Sequence, residues 1–306
     1  MILIWSPESL LHKTPEGHPE SPARGRVMAR VVERFRAAGG EVAAPRAATV
    51  EQLSRVHDGE YVRRVLATAG HPTPFDPDTF TSAESVDVAL LAAGATVDMV
   101  ERIMIGAGAR VFAFVRPPGH HAEANRAMGF CLFNNVAVAA AHARALGAAR
   151  VAIVDYDVHH GNGTQHIFES DPSVLYVSTH QFPHYPGTGA ANEIGVGAGV
   201  GFTVNVPLRA GSTDAVYKKA FDDVVLPAVR KFAPEVLLVS AGFDAHESDP
   251  LADMRVTTDG FRMMTQALVD VAEECCSGRV GFITEGGYNL EALEDCLETV
   301  LKVLRG

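Results

Sequence analysis

Short apolar runs alternate along this chain with longer stretches in which apolar residues return every three or four positions. The short runs fall at 2–5, 111–115, 150–155, 174–178, 202–206, 236–240 and 280–284, with one more near 41–43. Their bounded length and β-branched content predict buried strands. The longer stretches predict helices at 21–37, 47–56, 59–68, 84–105, 133–146, 162–168, 213–231, 257–275 and 289–303. Alternation of this kind predicts an α/β fold, a mostly parallel eight-stranded sheet with helices on both faces. No linker, low-complexity run or repeat interrupts it, so one domain is expected over 1–306. The segment 180–201 is long, Gly-rich and irregular. Loops of that length in compact domains are often functional.

Ionisable chemistry gathers where the apolar runs stop. The run at 150–155 leads into Asp155-Tyr156-Asp157-Val158-His159-His160-Gly161-Asn162-Gly163-Thr164. Open α/β sheets place their ligands at the carboxyl ends of strands. Asp157 and His159, two apart at such an end, project to the same side and suit a single metal ion. The ordinary alternative is a solvated polar turn, which has little use for so many ionisable groups beside a buried strand. Three other runs end in the same manner. Arg116-Pro117-Pro118-Gly119-His120-His121 follows the second, with stiff backbone before the histidines and a permissive glycine beside them. Ser240-Ala241-Gly242-Phe243-Asp244-Ala245-His246 follows another, and Glu285-Gly286-Gly287-Tyr288-Asn289 a fourth. Four small-residue turns with complementary side chains weigh far more than one.

These stretches resemble the histone deacetylase superfamily, which includes acetylpolyamine amidohydrolases and acetoin-utilisation proteins. The matching segments are RPPGHHA (116–122), GFCLFNN (129–135), DYDVHHGNGTQ (155–165), STHQFPHYPGTG (178–189), SAGFDAHESDPL (240–251) and EGGYNL (285–290). With the His18-Pro19-Glu20 region they run in family order over nearly the whole chain. The resemblance implies an arginase/deacetylase-like fold and a single-zinc amidohydrolase acting on linear amides.

Residue by residue, the resemblance assigns zinc to Asp157, His159 and Asp244. Three protein ligands leave a position open for water, as a catalytic zinc site needs. Iron(II) or cobalt also suits so hard a set. A dinuclear manganese centre of the arginase kind would need further carboxylates, but Gly161 and His246 stand at those places. His120 and His121 are implied as the general acid–base pair, oriented by Asp155 and Asn162. Many family members carry aspartate at the latter position. An amide stabilises imidazolium less, which lowers the expected pKa of His121, and the asparagine points to the class II-like and bacterial branch. Tyr288 is implied as the oxyanion donor. Gly129, Phe130, Tyr185, Leu251, Asp78 and Gly287 are expected to form the substrate channel, with Asp76 a rival to Asp78 at the rim. Branches specific for acetylpolyamines tend to carry glutamate where this chain has Leu251. One potassium ion is implied at Asp155, Ser178 and Thr179, with the carbonyls of Asp157 and His159. A second is implied near Phe168, Asp171, Val174 and Phe202. The histidines at 12, 18, 57, 71, 142, 166, 180 and 184 are read as surface or structural, His184 alone lying where it could reach substrate.

Composition narrows the picture. A net charge of −11 argues against a nucleic-acid binder, which needs a basic face. No uninterrupted apolar stretch is long enough for a membrane span. The first residues, Met1-Ile2-Leu3-Ile4-Trp5, read as a strand and lack a basic lead. Cys131, Cys275, Cys276 and Cys296 show no CxxC spacing, which suits a reduced, cytoplasmic protein. Small-molecule or peptide acyl-amines are the expected partners, and a homo-oligomer is compatible with the sequence. The expected activity is hydrolysis of N-acetyl amides on lysine-like alkylamines. The alternatives are deacetylation of acetylpolyamines or another small amide metabolite, and a non-catalytic acyl-amine binder. Paired histidines argue against the last, since a binder needs no general base.

Overall fold

Eight parallel strands form one sheet in a computed structural model that describes residues 1–106 and 110–306. In chain order the strands are β1 (Ile2–Trp5), β2 (Glu41–Ala43), the two-residue pair β3 (Thr73–Pro74) and β4 (Phe80–Thr81), β5 (Arg110–Phe114), β6 (Val151–Asp155), β7 (Val174–Gln181), β8 (Thr203–Leu208), β9 (Val236–Ala241) and β10 (Val280–Thr284). The large sheet runs β2-β1-β5-β10-β9-β6-β7-β8, and β3 pairs with β4 in a separate antiparallel hairpin. The helices are α1 (Pro22–Ala37), α2 (Val50–Leu53), α3 (Gly59–Leu66), α4 (Ser85–Ile105), α5 (Asn135–Ala145), α6 (Asn162–Phe168), α7 (Asp214–Ala220), α8 (Leu226–Phe232), α9 (Thr258–Cys276) and α10 (Leu290–Arg305). None of the described helices is long and apolar enough to cross a membrane.

Alternate residues of each strand feed two separate cores. Phe112, Phe114, Ala152, Val154, Leu237 and Val239 pack with residues of α1, α9 and α10. Val111, Ala113, Val151, Ile153, Val236 and Leu238 pack with residues of α4 and α5 on the opposite face. Both faces are covered, so the strands read as continuous apolar runs. Leu238 is fully buried in β9. Leu238→Ala is expected to lower stability by about 2–5 kcal/mol through lost transfer energy and a residual cavity. A urea unfolding curve tests this, and an unshifted midpoint would contradict the packing.

The sheet order positions the site. Strands β5, β10, β9, β6 and β7 are contiguous at the centre and all parallel. The turns after them hold the motifs at 116–122, 285–290, 240–251, 155–165 and 178–189. All five therefore leave the sheet at one end, the carboxyl end of its strands.

Several elements differ from the sequence pattern. The expected helix 47–56 shrinks to α2, closed at its start by a capping box between Thr49 and Gln52. Beyond it the chain turns inward to bury His57, whose Nε2 accepts the Asn134 N–H at 2.9 Å. The expected helix 213–231 is α7 and α8 joined by a π-type turn at Phe221–Val225. That wider turn lies just before Pro227, which lacks a donor and crowds the preceding turn. Strand β7 continues to Gln181, beyond the expected 178, because β8 pairs with it as far as Leu208. The hairpin β3–β4 and the short 3-10 turn Pro7–Leu11 gave no periodic signal.

Candidate active site

Asp157 and His159 follow β6, and Asp244 follows the neighbouring β9. His159 Nδ1 lies 3.2 Å from Asp157 Oδ1 and 3.1 Å from Asp244 Oδ2. Backbone amides hold the carboxylates in place. Asp157 Oδ2 accepts the Gly286 N–H at 2.8 Å, and Asp244 Oδ1 accepts the Val158 N–H at 2.9 Å. Two glycines make the approach possible. A Cβ on Gly242 would collide with Asp157 Oδ2, and one on Gly286 would collide with Asp244 Oδ2. One ligand atom from each of Asp157, His159 and Asp244 lies within 4.8 Å of the other two, and all three residues are buried.

The electrostatics of this trio fit a divalent cation. Burial and the Asp157 charge push the Asp244 carboxyl up to about 7. Burial disfavours a charged His159, yet hydrogen bonds to Asp157 and Asp244 raise it to about 10. Two buried carboxylates thus compete for positive charge, which a cation with two carboxylates and one imidazole supplies directly.

His120 and His121 stand beside the trio, after β5. Their rings lie 4.0 Å apart at 45°. His120 Nδ1 donates to Asp155 Oδ2 at 3.0 Å, and Tyr176 donates its hydroxyl to the same oxygen at 3.1 Å. His121 Nδ1 donates to Asn162 Oδ1 at 2.8 Å. Their environments diverge. Burial opposes charge on His120, but Asp155 and Asp157 raise it to about 10. Burial and the neighbouring His120 and His159 lower His121 well below its ordinary value. Adjacent groups driven apart in this way can serve as acid and base.

Tyr288 follows β10 through Gly286 and Gly287, the latter at φ +120°. Asp249 Oδ2 accepts the Tyr288 N–H at 2.6 Å, and Arg24 Nε donates to the Gly287 carbonyl at 2.7 Å. The Arg24 guanidinium also lies 5.0 Å from the centre of the Tyr288 ring. Arg24 itself is fully buried against the Glu20 carboxylate, which also pairs with Arg116. Glu285 accepts the Gly119 N–H at 2.6 Å and the Ser240 hydroxyl at 3.0 Å, tying β5, β9 and β10 together.

A cavity of about 200 Å³ opens beside these groups, with His121, His159 and Tyr288 in its wall. Of the expected channel residues, Asp78, Gly129, Phe130, Tyr185 and Leu251 line it. Tyr185 meets His121 edge-on at 5.1 Å, and Phe130 meets Tyr288 edge-on at 5.8 Å. Asp76 stands behind Asp78 and accepts its N–H at 3.0 Å. Gly287 is not in the cavity wall. A Cβ there would point at Phe243 and Leu293. His184 does line the cavity, stacked 5.2 Å from His159 and donating Nε2–H to the Leu251 carbonyl at 3.0 Å. No sequence rule marked Arg24, Glu123 or Asp249, although Asp249 precedes a proline in the motif at 240–251.

The resemblance implies potassium at residues that lie on or near the adjoining strands β6 and β7. Asp155 and Ser178 are register partners of β6 and β7. Ser178 Oγ bonds His180 Nδ1 at 2.9 Å, and the Thr179 hydroxyl is buried without a protein partner among the described residues. The carbonyls of Phe168, Asp171 and Phe202 accept N–H groups from Asp171, Val174 and Tyr176.

The sequence profile described as "Histone deacetylase domain" matches residues 18–304. The chain belongs to the histone deacetylase family. It is a hydrolase of that family, and its fold and recognition motifs agree. Histone deacetylase 14, chloroplastic, of Arabidopsis thaliana is 39% identical over 99% of this chain and 77% of its own length. Polyamine deacetylase HDAC10 of Homo sapiens is 40% identical over 97% of this chain and 46% of its own length. Among solved structures, the crystal structure of the HDA15 HD domain superposes with a TM-score of 0.93 at 44% identity, covering 99% of this chain and 87% of that one. In this family member the five contiguous strand ends carry every family motif from 116 to 290 except the short segment at 129–135, which precedes α5.

Proposed function

We propose that this chain is a zinc-dependent deacylase, organised as one catalytic domain over 1–306, that cleaves N-acetyl amides of lysine-like alkylamines. The supporting observation is the buried Asp157–His159–Asp244 trio opening onto a cavity that also presents His121 and Tyr288. Zinc held there would supply Lewis acidity toward the amide carbonyl and acidity to a water molecule. The chain's own groups do the rest. Phe130 and Tyr185 exclude water from the substrate's alkyl stem and align it. His121, with its Nδ1 proton committed to Asn162, accepts a proton from the attacking water at Nε2. The Tyr288 hydroxyl donates to the carbonyl oxygen as negative charge builds on it. The carbon–nitrogen bond then breaks, and a histidine of the pair returns a proton to the departing amine nitrogen, giving acetate and a free amine. Potassium at Asp155, Ser178 and Thr179 forms part of this reading, supported by the unpartnered Thr179 hydroxyl.

A second reading, deacetylation of acetylpolyamines, is favoured by the Asp78 carboxylate in the cavity wall, which would attract a distant ammonium. Leu251 offers no charge for that role. Turnover of zinc-loaded protein on an acetyl-lysine peptide and on acetylputrescine, with a hydroxamate chelator as control, separates the two. Hydroxamate-sensitive turnover of the peptide is expected. Turnover of acetylputrescine alone would favour the second reading, and zinc binding without turnover of either would overturn both.

A further inference from the structure

The asparagine beside His121 is one link in a longer chain. Asn162 Oδ1 faces His121 Nδ1 at 2.8 Å, while Asn162 Nδ2 donates to the Glu123 carboxylate. Glu123 in turn accepts from His166 Nδ1, at 2.9 Å to one oxygen and 3.0 Å to the other. Asn162 and Glu123 are buried, whereas the His166 side chain is 42% exposed. The Glu123 backbone is fixed as well. Its N–H donates to the Arg126 carbonyl at 2.9 Å, and its carbonyl accepts from His57 Nδ1 at 3.0 Å. Neither Glu123 nor His166 lines the cavity.

The direction of each bond follows from donor chemistry. An ionised carboxylate only accepts, so the face of Asn162 turned to Glu123 must be its NH2. That leaves the amide oxygen for His121. An amide oxygen also only accepts, so the His121 proton must sit on Nδ1. Nε2 is then left as a lone pair. With the amide reversed, NH2 would donate to Nδ1, the proton would move to Nε2, and the basic lone pair of His121 would be committed to Asn162 instead of free at Nε2. Burial alone would raise the Glu123 carboxyl, but the His166 and Asn162 hydrogen bonds lower it, which keeps it an acceptor.

We propose that Glu123 is a positioning residue that sets the tautomer of His121 through the orientation of Asn162, with His166 as its outer support. The inference rests on His121 being the general base. It also changes what the asparagine means. The carboxylate found next to this histidine in other family members is present here one amide further out.

Glu123→Gln tests it, because a glutamine amide can offer either face to Asn162 and no longer fixes its orientation. The expected result is a kcat lower by about 10- to 100-fold, the range seen when the outer partner of a metal-bound histidine is lost. KM should stay within about twofold, because no substrate contact is touched. Imidazole 15N spectra should show His121 moving from protonated Nδ1 toward a tautomer mixture, with zinc content unchanged. The double variant Glu123→Gln, Asn162→Asp restores the lock, since the introduced glutamine can donate to the introduced carboxylate, which accepts from His121. Recovery of most of the lost kcat is expected. His166→Ala should cost less than about threefold. Wild-type kcat and an unchanged tautomer in Glu123→Gln would overturn the proposal, as would failure of the double variant to recover. His121→Ala is assayed alongside. Retained turnover there would overturn the general-base reading itself, whereas an inactive His121→Ala beside a fully active Glu123→Gln would overturn only the inference.

Discussion

Replacing Tyr288 by phenylalanine is expected to lower turnover by about 100- to 1,000-fold, the usual cost of removing one oxyanion donor, if Tyr288 has the proposed role. The structure gives reasons to expect a clean loss. The loop that carries this residue is held through its backbone, by Asp249 at the Tyr288 N–H and by Arg24 at the Gly287 carbonyl. The ring is held by its faces, with Arg24 against it and Phe130 at its edge. None of these contacts uses the hydroxyl. Phenylalanine should therefore occupy the same place, with metal content unchanged and KM altered little. Steady-state kinetics beside metal analysis give the answer, and undiminished kcat would remove Tyr288 from the reaction.

Asp244→Asn should have a larger effect with a different signature. The amide keeps an oxygen for the Val158 N–H, so local structure survives, but one of the two carboxylate charges at the trio is gone. Zinc content after dialysis should fall from one ion per chain toward none, and turnover by more than about 1,000-fold. Thermal melting adds a second axis. Zinc should raise the melting temperature of the unaltered protein, because it binds the folded state alone, and should leave the variant unmoved. Without metal, the order should reverse. The variant should then melt higher, since Asp244 no longer sits buried beside the Asp157 charge. Stoichiometric zinc in the variant would show that Asp244 is not needed to hold the ion.

How much of this was legible in the sequence depends on the kind of interaction. The strands announced themselves because burial on both faces leaves little but apolar residues, and their polar exits marked the site edge. That Asp157, His159 and Asp244 share one place followed from motif order and family likeness. Their actual convergence needs β9 beside β6, a pairing between segments far apart in the chain that no local pattern encodes. Helix 47–56 failed because periodicity cannot register the pull of a buried partner such as Asn134 on His57. Gly287 looked like a channel residue through its neighbours in the motif, but its bare side faces Phe243 and Leu293. His184 was set apart from the other histidines only by its place in the 180–189 loop; its companions, His159 and the Leu251 carbonyl, come from distant segments. Glu123 was invisible for the same reason. Its meaning lies in which way an amide points, and only the folded neighbourhood determines that.

The position of β10 has a consequence for synthesis. It comes after every other described strand in chain order, yet it lies between β5 and β9. A nascent chain lacking residues 280–284 has no continuous sheet centre. Two half-sheets face each other across a missing ladder, each with an open edge that can pair wrongly. Gly286, whose N–H steadies Asp157, and Glu285, which ties Gly119 to Ser240, also arrive only with that segment. Until that segment arrives, the Asp157 carboxylate lacks its Gly286 partner and the β5 and β9 turns lack the Glu285 tie. One insertion thus closes the sheet centre and completes these backbone supports together.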